Sequence, residues 1–226
     1  MKKFNLLDNY PKPQTTRKVN TQYKNISHKL LAINRGKEFF DGKRNIGYGG
    51  YNYDGRWIPI AKKLIKKFKL RDGSKILHIN CEKGYLLFDL KNINNSFKIS
   101  GLETSRYAVS KAPKKIKNNI RLCNSYSKLN YKNKEFDLII CFGAISYHGL
   151  KDAVALITEI KRVSKNKSFI NLASFKTDKD YWLMRDWTVL GNCILSEKEW
   201  LKILQTTDYK GHYDFINAQT LNLKRI

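Results

Sequence analysis

KILHINCEKGYLLFDL, residues 75–90, falls into three parts: an apolar run at 75–79, a polar turn closing on Gly84, and a second apolar-rich run at 85–90. A short apolar run bounded by a turn reads as a strand, and the run after Gly84 reads as a helix. In an open α/β sheet, ligands sit at the carboxyl ends of the strands, where a glycine turn lets a nucleotide approach the backbone. The turn closing on Gly84 is therefore the first candidate site. One glycine is a weak signal. It is strengthened by Glu103 in GLETS (101–105), near the end of the next predicted strand (98–102), where a carboxylate can accept hydrogen bonds from both hydroxyls of a ribose.

Working outward, strand and helix patterns alternate. Residues 58–70 place Ile60, Leu64, Ile65 and Phe68 among lysines, an amphipathic helix closed by Asp72-Gly73. Residues 106–117 predict a helix broken at Pro113. A short apolar stretch follows at 120–123, and FDLIICF at 136–142 has the near-continuous apolarity of a strand buried on both faces. A helix at 152–163, a strand at 168–175, a helix capped by Ser196 and Glu199, and a last strand at 211–218 complete the series. Alternation at this spacing predicts an α/β domain with a doubly wound, mostly parallel sheet and helices on both faces. The domain organisation expected is a polar arm and helix at 1–38, a Gly- and aromatic-rich segment at 39–57, and the α/β domain at 58–226. The middle segment carries five glycines and six aromatics. It reads equally as a lid over a small-molecule site or as a loop packed by its own rings.

Composition limits the function classes. A chain of 226 residues with 42% hydrophobic content folds as one domain. The net charge of +25 admits a nucleic-acid partner, but the lysines are spread through every segment alongside abundant Asn and Ile, so compositional bias is favoured over a nucleic-acid footprint. Cys81, Cys123, Cys141 and Cys193 form no CxxC pair, which predicts reduced, largely buried thiols and no metal. No apolar run has the length of a signal peptide core or membrane span, so a cytoplasmic protein without a membrane partner is expected. The sequence carries no signal for an oligomeric state.

HINCEKG at 78–84, GLETS at 101–105 and FDLII at 136–140 together resemble the class I S-adenosylmethionine-dependent methyltransferases, whose corresponding stretches usually read like DIGCGKG, GIDIS and FDLV. The resemblance extends to GYGGYNYDGRW at 47–57 and to Trp187, Ser196, Glu199-Trp200 and the stretch DYKGHY at 208–213, features of a small bacterial subgroup. It implies a Rossmann-like fold, S-adenosylmethionine as cofactor and methyl transfer to a small-molecule acceptor. It also implies Cys81 and Gly84 against the cofactor's amino-acid and ribose portions, Glu103 on the ribose, and Asn124 or Ser125 beside the adenine. Cys141 and Phe142 would line the methyl-donor pocket, with Tyr147 and His148 facing the acceptor and His148 the candidate general base.

Three residues depart from that pattern. His78 stands where the family has an acid, and Asn80 and Glu82 replace the first two motif glycines. If position 82 needs positive φ, a Glu there costs about 1 kcal/mol or more; its carboxylate could instead hold the cofactor ammonium that His78 does not. The departures motivate a competing expectation: a catalytically weakened relative that keeps the fold and serves as a binding or scaffold module.

Overall fold

The computed structural model describes residues 1–11, 15–20 and 24–226. Pro13, one of two prolines assigned to the N-terminal arm, lies outside them. The chain opens with β1 (Lys2–Lys3), a 3-10 turn at Leu6–Asn9 and β2 (Arg17–Val19). Next come α1 (Ile26–Ile33), α2 (Lys37–Asp41) and α3 (Ile58–Phe68), then β3 (Lys75–Ile79), α4 (Tyr85–Ile93) and β4 (Lys98–Glu103). Two short helices, α5 (Arg106–Ser110) and α6 (Lys114–Lys117), lead to β5 (Ile120–Leu122), β6 (Leu138–Cys141), α7 (Ala144–Tyr147), α8 (Leu150–Val163) and β7 (Ser168–Phe175). Last are α9 (Asp178–Trp187), β8 (Leu195–Ser196), α10 (Glu197–Thr206), β9 (His212–Ile216) and β10 (Leu223–Arg225).

The main sheet runs β1-β9-β7-β6-β3-β4-β5, with β8 added on β7, and every pairing in it is parallel. Side chains alternate across β3, so Leu77 and Ile79 join the core beneath α8 and α10 while Ile76 joins the core beneath α3 and α4. Helices on both faces of a parallel sheet make the doubly wound architecture that the alternation predicts. Strand order reverses at β3, whose neighbours are β4 on one side and β6 on the other. The carboxyl end of β3 is therefore the topological switch point, the crevice in which such sheets hold ligands.

The break at Pro113 is as expected, since residues 106–117 form two helices with Pro113 as the cap of the second, but several other elements differ from the sequence expectation. The start of the polar arm is built into the sheet: β1 pairs with β9, and Leu6 is fully buried against α3. Helix α9 was not expected from its charged sequence DKDYWLMRDW, which buries only Leu183 and Met184. The capping box does form, with Ser196 Oγ accepting from Glu199 N at 3.2 Å and Ser196 N donating to Glu199 Oε2 at 2.7 Å. Ser196→Ala is expected to cost about 1 kcal/mol in urea unfolding, since an orphan donor of the first turn of α10 is left without its acceptor.

Candidate functional site

The turn after β3 is left-handed at three alternate positions: Asn80 at φ 60°, Glu82 at φ 57° and Gly84 at φ 78°. The condition set for a strain penalty at position 82 is met, and Asn80 shares it. Gly84 is required for space as well, since a Cβ there would lie 2.6 Å from Ile116 Cδ1 and 2.7 Å from Ile120 Cδ1. Asn80 and Glu82, which replace glycines in this turn, both find partners for their side chains. Asn80 Nδ2 donates to the Phe142 carbonyl at 2.8 Å, tying the ends of β3 and β6 together. The Glu82 carboxylate is buried and accepts the Tyr48 hydroxyl. Burial raises the Glu82 pKa, although the Tyr48 bond and the Arg35 charge pull it back.

Glu103 ends β4 in the place the sequence indicates and is fully buried. Its Oε1 accepts from Thr104 N and Ser105 N, both at 2.8 Å, and pairs with Arg35 Nη1 at 2.9 Å. Its Oε2 accepts from Glu82 N at 2.7 Å and Arg35 Nη2 at 3.2 Å. A carboxylate offers about four lone-pair sites, and these four hydrogen bonds, with the Arg35 Nη1 charge beside them, take them up. Arg35 comes from the left-handed residue after α1 (φ 44°) and is itself buried, with its guanidinium 5.6 Å from the Tyr147 ring centre and 5.8 Å from that of Phe40. Burial alone would lower its pKa, but the charge of Glu103, joined by those of Tyr126, Tyr147 and Glu82, more than offsets this and holds the guanidinium protonated.

The Gly- and aromatic-rich segment at 39–57 lies against the same turn. Lys83, almost wholly buried, donates to Asp41 Oδ1 at 2.6 Å, Asp41 Oδ2 at 2.8 Å and the Tyr51 carbonyl at 2.7 Å. Burial pushes the Asp41 carboxyl up, yet bonds from Lys83, Tyr107 and Tyr51 N hold it below its ordinary value. Tyr48 stacks on Tyr51 at 4.7 Å, Phe39 and Phe40 pack edge to face, and Tyr53 donates to Asp89 at 2.6 Å. The segment is thus packed by its own rings and also fastened to the turn.

The remaining predicted residues divide into three groups. His78 is buried on the α3 face, edge-on to the Phe142 ring at 5.5 Å, and neither ring nitrogen has a hydrogen-bond partner. Cys81 and Cys141 are buried, and burial raises both thiols, Cys141 to about 12, so neither is a ready nucleophile. Tyr147 is near Arg35, as above, and also reaches Asn80, placing it inside the crevice. His148 lies at the rim, 6.3 Å from the Tyr126 ring centre. Asn124 and Ser125 follow β5 as expected, but Ser125 Oγ is engaged with Ser127 Oγ at 2.8 Å. Arg35, Tyr48 and Lys83 were not anticipated. Among the described residues no three His, Cys, Asp or Glu side chains converge as a metal site, and no helix is long and apolar enough to cross a membrane.

A family model described as a methyltransferase domain matches residues 70–213. An uncharacterised protein of Methanocaldococcus jannaschii is 31% identical over 115 residues, 50% of this chain and 42% of that protein, so the match spans under half of the relative's length. Among solved structures, the YcgJ protein of Bacillus subtilis superposes with a TM-score of 0.53 at 18% identity, over 65% of this chain and 66% of that one. The [4+2]-cyclase SpnF does so with a TM-score of 0.55 at 15% identity, over 88% and 75%. A cyclase among the matching folds shows that the architecture alone does not fix the reaction.

Proposed function

The chain belongs to the methyltransferase-domain family, and from that premise we propose that it is a member whose cofactor crevice has been taken over by its own side chains, so that it acts as a binding module and not by methyl transfer. The observation that carries this is the Glu103 carboxylate, which accepts four hydrogen bonds from the protein at 3.2 Å or less, one of them from Arg35, and is ion-paired with Arg35 as well. S-adenosylmethionine, which the family implies, does not fit this arrangement: a ribose has no free acceptor on Glu103. The cofactor ammonium would also meet, in place of the family's acid, a His78 with no negative charge to offer.

The active reading, S-adenosylmethionine-dependent transfer to a small molecule with Tyr147 and His148 facing the acceptor, has one observation in its favour. The turn keeps a left-handed backbone at 80, 82 and 84, with an acid opposite. Calorimetric titration of the unmodified protein with S-adenosylmethionine and S-adenosylhomocysteine separates the two. The expected result is no saturable heat up to about millimolar ligand, with binding recovered in Arg35→Met, which frees Glu103. Micromolar binding by the unmodified protein overturns the proposal and returns the chain to the active class.

A further inference from the structure

Away from the crevice, three chain segments bring cations to one indole. Trp187, the last residue of α9, has Lys24 Nζ 3.7 Å from its ring centre, Arg17 Cζ at 5.3 Å and Arg44 Cζ at 5.9 Å. Arg17 lies on β2, Lys24 just ahead of α1, and Arg44 within the Gly- and aromatic-rich segment. Beside them opens a cavity of about 510 Å³ lined by Thr15, Thr16, Arg17, Lys18, Asn20, Arg44, Trp187 and Ile226, with no Asp or Glu side chain among these described residues. The acid next in sequence, Asp186, is committed to Arg225.

Like charges this close repel, and the repulsion grows as water is removed. Lys24 is more than nine-tenths buried, and its ammonium has no carboxylate or hydrogen-bond acceptor among the described residues. Burial, followed by the charges of Arg44, Arg17 and Lys29, lowers its pKa to about 7. Cation–π contact with one indole offsets part of this. A cavity walled by Arg17, Lys18 and Arg44 with no acidic side chain, and with Lys24 adding charge on the shared indole, is complementary to an anion. Arginine forks and threonine hydroxyls match the oxygens of a phosphoryl group, and the cavity has the volume of a small-molecule site and not of a polymer groove.

We propose that the cleft between β2, Arg44 and Trp187 is a binding site for a small phosphate monoester, with Arg17, Arg44 and Lys24 supplying the positive charge and Thr15 and Thr16 as hydroxyl donors at its wall. The site is independent of how the crevice at Glu103 is read. It also gives part of the +25 net charge a local purpose.

Thermal unfolding of the full chain tests it, with inorganic phosphate and ribose 5-phosphate as probes, ribose as uncharged control and sodium chloride at matched ionic strength. Both phosphates are expected to raise Tm, ribose and chloride are not, and Arg17→Gln weakens the apparent phosphate affinity about tenfold. Lys24→Gln keeps the test open should an arginine variant fold poorly. Removal of the buried cation is expected to raise Tm without ligand while reducing the phosphate response. An equal response to chloride, a response that survives in both variants, or none to either phosphate overturns the site. So does a short single-stranded RNA that binds through Arg17 and Lys24 and is not displaced by phosphate, which would assign the surface to nucleic acid.

Discussion

Arg35→Met is expected to lower the unfolding free energy by about 3–5 kcal/mol, the cost of leaving a buried carboxylate without its charge partner. Glu103 retains three backbone donors, from Glu82, Thr104 and Ser105, which places the loss toward the lower end of that range. A double-mutant cycle with Glu103→Gln separates the ion pair from lost packing against Phe40 and Tyr147, with a coupling of about 2 kcal/mol or more expected from urea unfolding. The same substitution withdraws one hydrogen bond and the ion pair from Glu103 and leaves its carboxylate able to accept a hydroxyl. S-adenosylhomocysteine is therefore expected to bind Arg35→Met measurably and the parent not. A variant as stable as the parent, with unchanged ligand response, would mean that Arg35 neither holds Glu103 nor closes the crevice.

The contrast between Glu103 and Arg35 shows what the sequence could and could not reveal. Glu103 was legible because a strand pattern fixes its position: alternation placed the end of β4, and an acid at a strand's carboxyl end beside a glycine turn has few structural uses. The positive φ at Glu82 was legible only as a condition, because the resemblance puts a motif glycine at that position. Arg35 had no such signal. It sits in INRGKEFF between two short helices, and its partner is 68 residues away, so nothing within a helical or strand period links the two. Lys83 was hidden for the same reason, since its partner Asp41 belongs to a segment legible only as glycines and rings. Pattern reading located the cleft; it could not tell that the cleft is filled, because filling depends on side chains arriving from distant segments. Helix α9 escaped for a different cause. Its core-facing stripe is two residues wide, and the charge pattern outweighs so narrow an apolar face.

His78 supplies the second large effect, and its sign follows from burial. In the unfolded chain an imidazole titrates near its ordinary value of about 6.5, whereas burial lowers the folded value to about 3. Between those limits the unfolded state takes up a proton that the folded state refuses, so His78 makes the protein lose stability as pH falls from about 6.5 toward 3, by about 4 kcal/mol over the full window. Carboxylates held low by partners, such as Asp41 and Glu159, act in the same direction at the acid end. Glu82, raised by burial, acts in the opposite one. The difference between parent and His78→Leu cancels these shared contributions. Urea unfolding at a series of pH values is therefore expected to show the two proteins diverging below about pH 6.5, with the leucine variant progressively favoured. Curves that stay parallel down to pH 4 would mean that the imidazole has a partner in solution, a water or a bound anion, that satisfies its ring nitrogens. That outcome would reopen position 78 as a ligand contact, because a histidine without partners explains itself only as a neutral filler against Phe142. If the divergence is found, the same dryness applies to the family's acid. A carboxylate restored by His78→Asp would enter a site without a hydrogen-bond donor and raise its own pKa, so the reversion regains an ammonium partner only if the cation arrives to offset the desolvation.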